Sequence, residues 1–390
     1  EMTSSLVGSE MCIRDSVMTQ NIGAGRPGVA YQARQLGLAF NAVLGVIMSL
    51  FLSLGAGTIL SGVGVADALM QPAKTYLQIV GGFCILNALI PICSSYLRAF
   101  GFSKEPLYAS IIGNVINFCL NAFFLFVLHK GVAGVATATV ISRIINLVIV
   151  VLLGAVLVKA KQHPERESNR AVMGQIIRIG LPSACETAIY NVSMTLVIRF
   201  LNQMDAQGLN VTARSYTMQI TNFSYCVGAA LAQANAIMTG WHIGAKEYDA
   251  CDRGTKKAAV IGVIVAVILE TVFTLCSGWI MQLFSKDPQM VSLVGKLLAI
   301  DIVLEIGRVT NLVYGQALKT SGDAVFPVVM GACFMILCSV GGTYLFGIRL
   351  GLLAVGAYIG MTGDECVRAV GMYLRWKSGK WKQKGLVKSR

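Results

Sequence analysis

Asp301, Glu305 and Arg308 stand at i, i+4 and i+7 inside the apolar run Leu297–Leu318. On an α-helix that spacing puts all three on one face. Asn311 and Tyr314 continue the polar flank. Charges among apolar residues are costly unless they meet a cavity, a counter-charge or an ion. Such a set can bind a cation reversibly or recognise a charged substrate. The other reading of the same spacing is a neutralised Glu305–Arg308 pair that only locks two helices together.

Glu186 offers similar chemistry. It follows Gly180-Leu181-Pro182, and Pro182 suits the first turn of a helix, so Glu186 is expected about one turn in. Tyr190 and Ser193, at i+4 and i+7, extend a polar stripe from it. A carboxylate in a partly dry cleft can take up and release a proton, whereas one at a helix start can simply answer the helix dipole. Asn114, Asn117 and Asn121 form another polar face, suited to hydrogen bonds between helices. Gln219, Asn222 and Tyr225 could line a cleft. Arg143 and Glu270 are single embedded charges with no partner assignable from spacing. Asp364, Glu365 and Arg368 fit a local structural ion pair at i, i+4 or i, i+3.

Other chemistries are excluded. Gly23-Ala24-Gly25-Arg26-Pro27-Gly28 has dinucleotide-fingerprint spacing, but no strand precedes it and Pro27 interrupts the helix start. His129, His163 and His242 have no second ligand at helical spacing, so no metal site is expected. The 11 Cys include no Cys-x-x-Cys pair and sit mostly singly in apolar runs. No cofactor is expected, and no catalytic cluster marks an enzyme. The net charge of +13 gathers in short segments between apolar runs, not in a groove for nucleic acid.

The elements that position the charges are membrane helices. The chain is 55% hydrophobic and only 13% charged, against about 25% charged in a soluble domain. Ten runs are long and apolar enough to cross a bilayer. Four lie in the first half, near Leu36–Leu60, Tyr76–Leu97, Pro106–Leu128 and Val132–Val158. Six lie in the second, near Leu181–Leu201, Tyr216–Ile237, Ala258–Leu283, Leu297–Leu318, Val325–Phe346 and Leu350–Leu374. Alternate loops are rich in Lys and Arg, as around Arg98 and Lys104 or Lys246 to Lys257, and those face the cytoplasm. Both termini then lie inside, in the cell's inner (plasma) membrane.

The chain repeats itself. Ile22-Gly23-Ala24 returns as Ile243-Gly244-Ala245, an offset of 243 − 22 = 221. Gly101 and Pro106 return as Gly322 and Pro327 at the same offset. An even number of spans separates the copies, so the repeats run parallel. The fold expected is an all-α membrane protein of two parallel six-helix repeats, with ten full spans present. The first repeat is expected to lack its first helix and most of its second, leaving Val17–Ile22 as a stub. The expected divisions are a non-native segment 1–16, a first lobe 17–160, a cytoplasmic linker 161–178, a second lobe 179–376 and a basic tail 377–390.

At this point several motifs carry a family resemblance. Gln20-Asn21-Ile22-Gly23-Ala24-Gly25 and its repeat, Gly180-Leu181-Pro182 with Glu186, and Ala317-Leu318-Lys319-Thr320-Ser321-Gly322-Asp323 resemble the multidrug and toxic compound extrusion family in order and spacing. So does the close, Asp364-Glu365 with Arg368 and Arg375-Trp376. The resemblance implies a monomeric two-lobed antiporter. It would export small amphipathic or cationic compounds in exchange for protons or sodium, through a cleft that opens alternately. In that family a helix-seven glutamate couples the ion in some members, and Glu186 matches it. The helix-ten aspartate that joins it falls at Arg308 here, with Glu305 one turn earlier. The expected coupling residues are therefore Glu186, Glu305 and Asp301. Tyr190, Arg308, Asn311, Tyr314, Asn117, Asn121, Gln219 and Asn222 would contact substrate. A lipid-linked saccharide flippase of the same superfamily is the alternative, and it would need Arg143 and Arg308 free to meet pyrophosphate.

Overall fold

The computed structural model describes residues 16–63, 67–158, 165–204 and 208–386. Residues 1–15 of the segment expected to be non-native, 64–66, 159–164 around His163, 205–207 and 387–390 lie outside the described residues. Among the described residues all regular structure is helical. A short helix α1 covers 16–23. It is followed by α2 (Pro27–Leu54), α3 (Ala56–Val63), α4 (Asp67–Gly82), α5 (Ile85–Ala99), α6 (Lys104–Ala122) and α7 (Gly131–Leu157). Then come α8 (Asn169–Met204), α9 (Leu209–Gly244), α10 (Tyr248–Leu275), α11 (Ser277–Met281), α12 (Pro288–Thr320), α13 (Val325–Phe334) and α14 (Leu353–Lys377). The chain folds as two compact units, divided in sequence between Ile176 and Ile177.

Local chemistry sets the helix ends. Pro27 and Pro288 open α2 and α12, where a missing N–H costs nothing. Asp287 caps α12 by accepting from the Gln289 amide at 2.9 Å. Three expected spans are broken, Ala258–Leu283 among them, which divides at Cys276 between α10 and α11. Leu36–Leu60 divides at Gly55, and Tyr76–Leu97 becomes α4 and α5, bent by 41° just after Gly81-Gly82. Glycine pairs are weak points in a helix. The expected helix start at Pro182 is also corrected. Helix α8 runs unbroken from Asn169, so Pro182 lies in its interior and Glu186 is not near an N-terminus.

Helix ends recur at the sequence offset. Pro27–Leu54 and Tyr248–Leu275 are both 28 residues long and 221 apart. The start of α4 and the end of α5, at Asp67 and Ala99, correspond to the two ends of α12 at Pro288 and Thr320. The turns match in detail. Gly25 and Lys246 both have positive φ (72° and 63°), as do Gly101 and Gly322 (89° and 94°). The Arg26 amide donates to Asn21 at 2.8 Å and the Glu247 amide to His242 at 2.8 Å. A π-helical turn precedes Gly131 (Phe123–Val127), and another precedes Gly351 (Thr343–Arg349).

Among the described residues, five helical segments are long and apolar enough to cross a membrane: Pro27–Leu54, Lys104–Val127, Gly131–Leu157, Tyr248–Leu275 and Val325–Arg349; the bent pair α4–α5 makes a sixth if counted as one. Helices α8, α9 and α12, at 36, 36 and 33 residues, have the length but carry more polar side chains. Large apolar residues such as Leu54, Phe118, Phe126 and Trp279 stand exposed, as lipid-facing positions do.

In the first unit α2 packs on α4 and α5, and α7 packs on α4, α5 and α6. In the second, α12 is the central element and α9, α10 and α14 all pack against it. Glycines let them close. A Cβ at Gly228 of α9 or Gly262 of α10 would stand 2.8 or 2.7 Å from the Val309 side chain of α12. A Cβ at Gly307 would stand 2.8 Å from the Cys366 amide nitrogen of α14. Close backbone approach of this kind is how membrane helices gain packing energy. It gathers four helices around residues 305–309.

Candidate functional site

The glycine contacts bring acidic side chains from different helices together. Glu270 on α10 and Asp301 and Glu305 on α12 offer carboxylate oxygens that lie within 4.8 Å of one another. The three residues are 0%, 2% and 0% exposed. At that spacing two carboxylates repel by roughly 3–4 kcal/mol in a medium of effective dielectric about 20. One guanidinium answers them: Arg308 Nη1 donates to Glu305 Oε1. Its Nε lies 3.9 Å from Glu365 Oε1 on α14. The Arg308 guanidinium also stands over the Tyr225 ring at 5.9 Å.

Glu365 is well served without Arg308. Arg368 bridges it at 2.9 Å, and Asn311 Nδ2 donates to its Oε2 at 3.0 Å. Arg368 also grips Asp364 at 2.8 and 3.0 Å, and the Ser339 hydroxyl donates to Asp364 at 2.9 Å. The local ion pair read from the α14 sequence is thus one end of a network that reaches α12. Tallying Glu270, Asp301 and Glu305 against Arg308 leaves a formal surplus of two negative charges in a buried place.

That surplus is not met by hydrogen bonds. Glu270 Oε1 and Oε2, Asp301 Oδ2 and Glu305 Oε2 are buried and find no hydrogen-bond partner among the described residues. Buried polar atoms are almost always paired, so each unpaired one needs a reason. Ser224 of α9, fully buried, lies beside Glu270.

Other expected site residues fall elsewhere. Glu186 is held by Lys319 Nζ at 2.5 Å, so its charge is already balanced. Tyr190 is 39% exposed on α8 and close enough to Arg308 to interact with its charge. Asn311 belongs to the acidic network through Glu365. Tyr314 is buried in an apolar cluster, edge-on to Tyr373 at 5.6 Å and beside Trp376 at 6.2 Å. Gln219 and Asn222 stand on the exposed face of α9. In the first unit Asn117 donates to Ser142 of α7 at 3.3 Å, and Asn121 donates to Asn117 at 3.0 Å. Glu270 is the residue that spacing left without a partner. Its partners lie on neighbouring helices, and an acid alone in the apolar run Ala258–Leu283 was its one sequence signal.

Comparison with known proteins places this geometry in context. The MatE family pattern matches residues 5–123 and 182–345. The chain is 32% identical over 377 residues to the uncharacterized transporter YisQ of Bacillus subtilis, covering 95% of this chain and 82% of that one. It is 22% identical to the probable multidrug resistance protein NorM of Thermotoga maritima, over 87% of this chain and 76% of NorM. Among solved structures it superposes on MATE in the straight conformation with a TM-score of 0.88 at 18% identity, covering 98% of this chain and 86% of that one. An outward-facing multidrug resistance MATE family transporter gives 0.87 at 18% identity, with 100% and 86% covered.

Proposed function

The chain belongs to the MATE family, a family of multi-pass membrane transporters and not of enzymes, and on that premise we propose that it exports small amphipathic or cationic compounds in exchange for protons or sodium. The transported class follows the relatives named for multidrug resistance. Transport would proceed by alternating access in a monomer in the inner membrane, with both termini cytoplasmic, as the basic loops favour. Ten spans in two parallel repeats make up this reading, and the shared helix ends and turn hydrogen bonds at offset 221 support it.

The observation that carries the reading is the surplus of buried negative charge at Glu270, Asp301 and Glu305. Buried acids in this number can take up and release a proton or another cation, as an exchange cycle requires. Asp301 and Glu305 are therefore the coupling residues. Glu186, paired with Lys319, is not given that role here. The saccharide flippase is not favoured, because Arg308 is spent on Glu305 and Glu365 and is not free to meet a pyrophosphate.

The test is ethidium efflux from everted vesicles of a drug-sensitive bacterium, driven by an imposed proton or sodium gradient. Glu305→Gln should lower gradient-driven efflux at least about tenfold, the size of one lost charged interaction, with membrane insertion unchanged. Efflux at the parent rate would refute the assignment.

A further inference from the structure

We propose that Arg143, beside the break between α4 and α5, holds the acidic group of the transported compound, so that the amphipaths exported are organic acids or zwitterions. The inference rests on the export reading above and names the substrate class.

Arg143 is the 13th of the 27 residues of α7. At 1.5 Å per residue, either end of the helix is roughly 18–21 Å away. An arginine side chain does not span that distance, so neither bulk water nor a headgroup phosphate answers its charge at an interface. The residue faces the interior of the first unit. Ala136, Val140 and Val150, at i−7, i−3 and i+7 on the same helix face, are buried, and Arg143 itself is half-buried.

No acid stands at this depth. Between residues 16 and 158 the acids are Asp67, which opens α4, and Glu105, in the first turn of α6. Among the described residues Arg143 makes no ion pair. Its guanidinium lies near the Cys84 thiol, and the Asn87 amide lies beside that thiol. A thiol and an amide do not cancel a positive charge, and an uncompensated charge in the bilayer is costly enough to mark a ligand pathway.

The backbone points to the same place. The α4–α5 pair is bent by 41° between Gly82 and Ile85, about halfway along its length, and α7 packs on both halves. Interrupted helices near the midplane are where secondary transporters bind substrate, and the start of the second half carries partial positive charge. Arg143 and Asn87 thus meet this break with positive charge and amide donors, and with no acid to repel an anion. A guanidinium matches one carboxylate through two parallel hydrogen bonds. One guanidinium does not match the several charges of a pyrophosphate.

The experiment is fluorescence titration of the purified full chain in dodecyl maltoside with dansylglycine, an amphipathic carboxylate, and with its uncharged amide. The parent should bind the acid about tenfold tighter than the amide, the size of a hydrogen bond to a charged group. Arg143→Met should bind the two alike. In SDS-induced unfolding Arg143→Met should be at least as stable as the parent, because the substitution removes an unpaired charge. A guanidinium that merely holds helices together would leave the variant clearly less stable. Equal binding of acid and amide by the parent, acid preference retained in Arg143→Met, or a destabilised Arg143→Met would each overturn the proposal. Acid preference that depends on Arg143, in a chain that moves neither dansylglycine nor ethidium across vesicles, would uphold the site and remove the export reading instead.

Discussion

Removing Arg308 exposes the electrostatics of the site most directly. Glu305 is fully buried, receives Arg308 at Oε1 and has no partner at Oε2. In Arg308→Ala, Glu365 keeps Arg368 and Asn311, so the damage falls on Glu305. Breaking a buried pair from one side costs about 3–5 kcal/mol. The Arg308 side chain retains 19% exposure, which places the expected loss near about 3 kcal/mol. Lost contact with the Tyr225 ring adds about 0.5–1 kcal/mol. Changing Glu305 as well removes the stranded charge. The double variant Arg308→Ala/Glu305→Gln should therefore be more stable than Arg308→Ala alone, with a net deficit of about 1–2 kcal/mol, the scale of a lost hydrogen bond. The assay is SDS-induced unfolding in micelles followed by tryptophan fluorescence, since Trp376 and Trp381 are buried in the second unit. Single-variant costs that add to within about 0.5 kcal/mol in the double variant would refute the argument that Arg308 neutralises Glu305.

Gly101 and Gly322 hold the same left-handed conformation at repeat-related turns but have different surroundings. Among the described residues nothing lies within 4 Å of a Cβ at Gly101, whereas one at Gly322 would collide with the Lys384 carbonyl. Gly101→Ala should cost about 1–2 kcal/mol of backbone strain and Gly322→Ala clearly more, with the reverse order in SDS unfolding refuting the packing account. Trp381 is 1% exposed, stacks on Trp376 at 4.1 Å and donates to the Trp376 carbonyl at 2.9 Å. Trp381→Ala should cost about 3–5 kcal/mol and free the segment after α14, so trypsin should cut at Lys377 and Lys380 several-fold faster; parent-like cleavage would refute that anchoring.

The helices were legible because apolar runs bounded by basic loops leave little choice of where the chain turns. Their interruptions were less so. The bend after Gly81-Gly82 has a local cause, but Pro182 misled because proline both opens helices and is tolerated within long membrane ones. The site was half legible. Asp301, Glu305 and Arg308 share a helix, and helical spacing reveals partners on the same helix. Glu270 meets Asp301 from another helix, 31 positions away, and Glu186 meets Lys319 from 133 positions away. No periodicity within one span can encode such pairings. Tyr314 shows the converse error, since it lies on the polar flank by spacing yet is buried among aromatic rings.

The repeat supplies a control for whether the buried charges belong to the scaffold. Subtracting 221 from 270, 301, 305 and 308 lands on Ser49, Val80, Cys84 and Asn87. The helices that carry them also touch in the first unit, where the Ile85 amide, next to Cys84, donates to the Ser49 hydroxyl at 3.1 Å. The α2–α5 contact there corresponds to the α10–α12 contact that joins Glu270 to Glu305. The first unit builds this contact with a hydroxyl, a valine, a thiol and an amide. A helix pair that packs without charge at these positions does not need three acids and an arginine to pack. Four buried charges carry a desolvation cost that the uncharged copy avoids. Their presence in one copy alone supports the proposal that they serve cation exchange rather than packing.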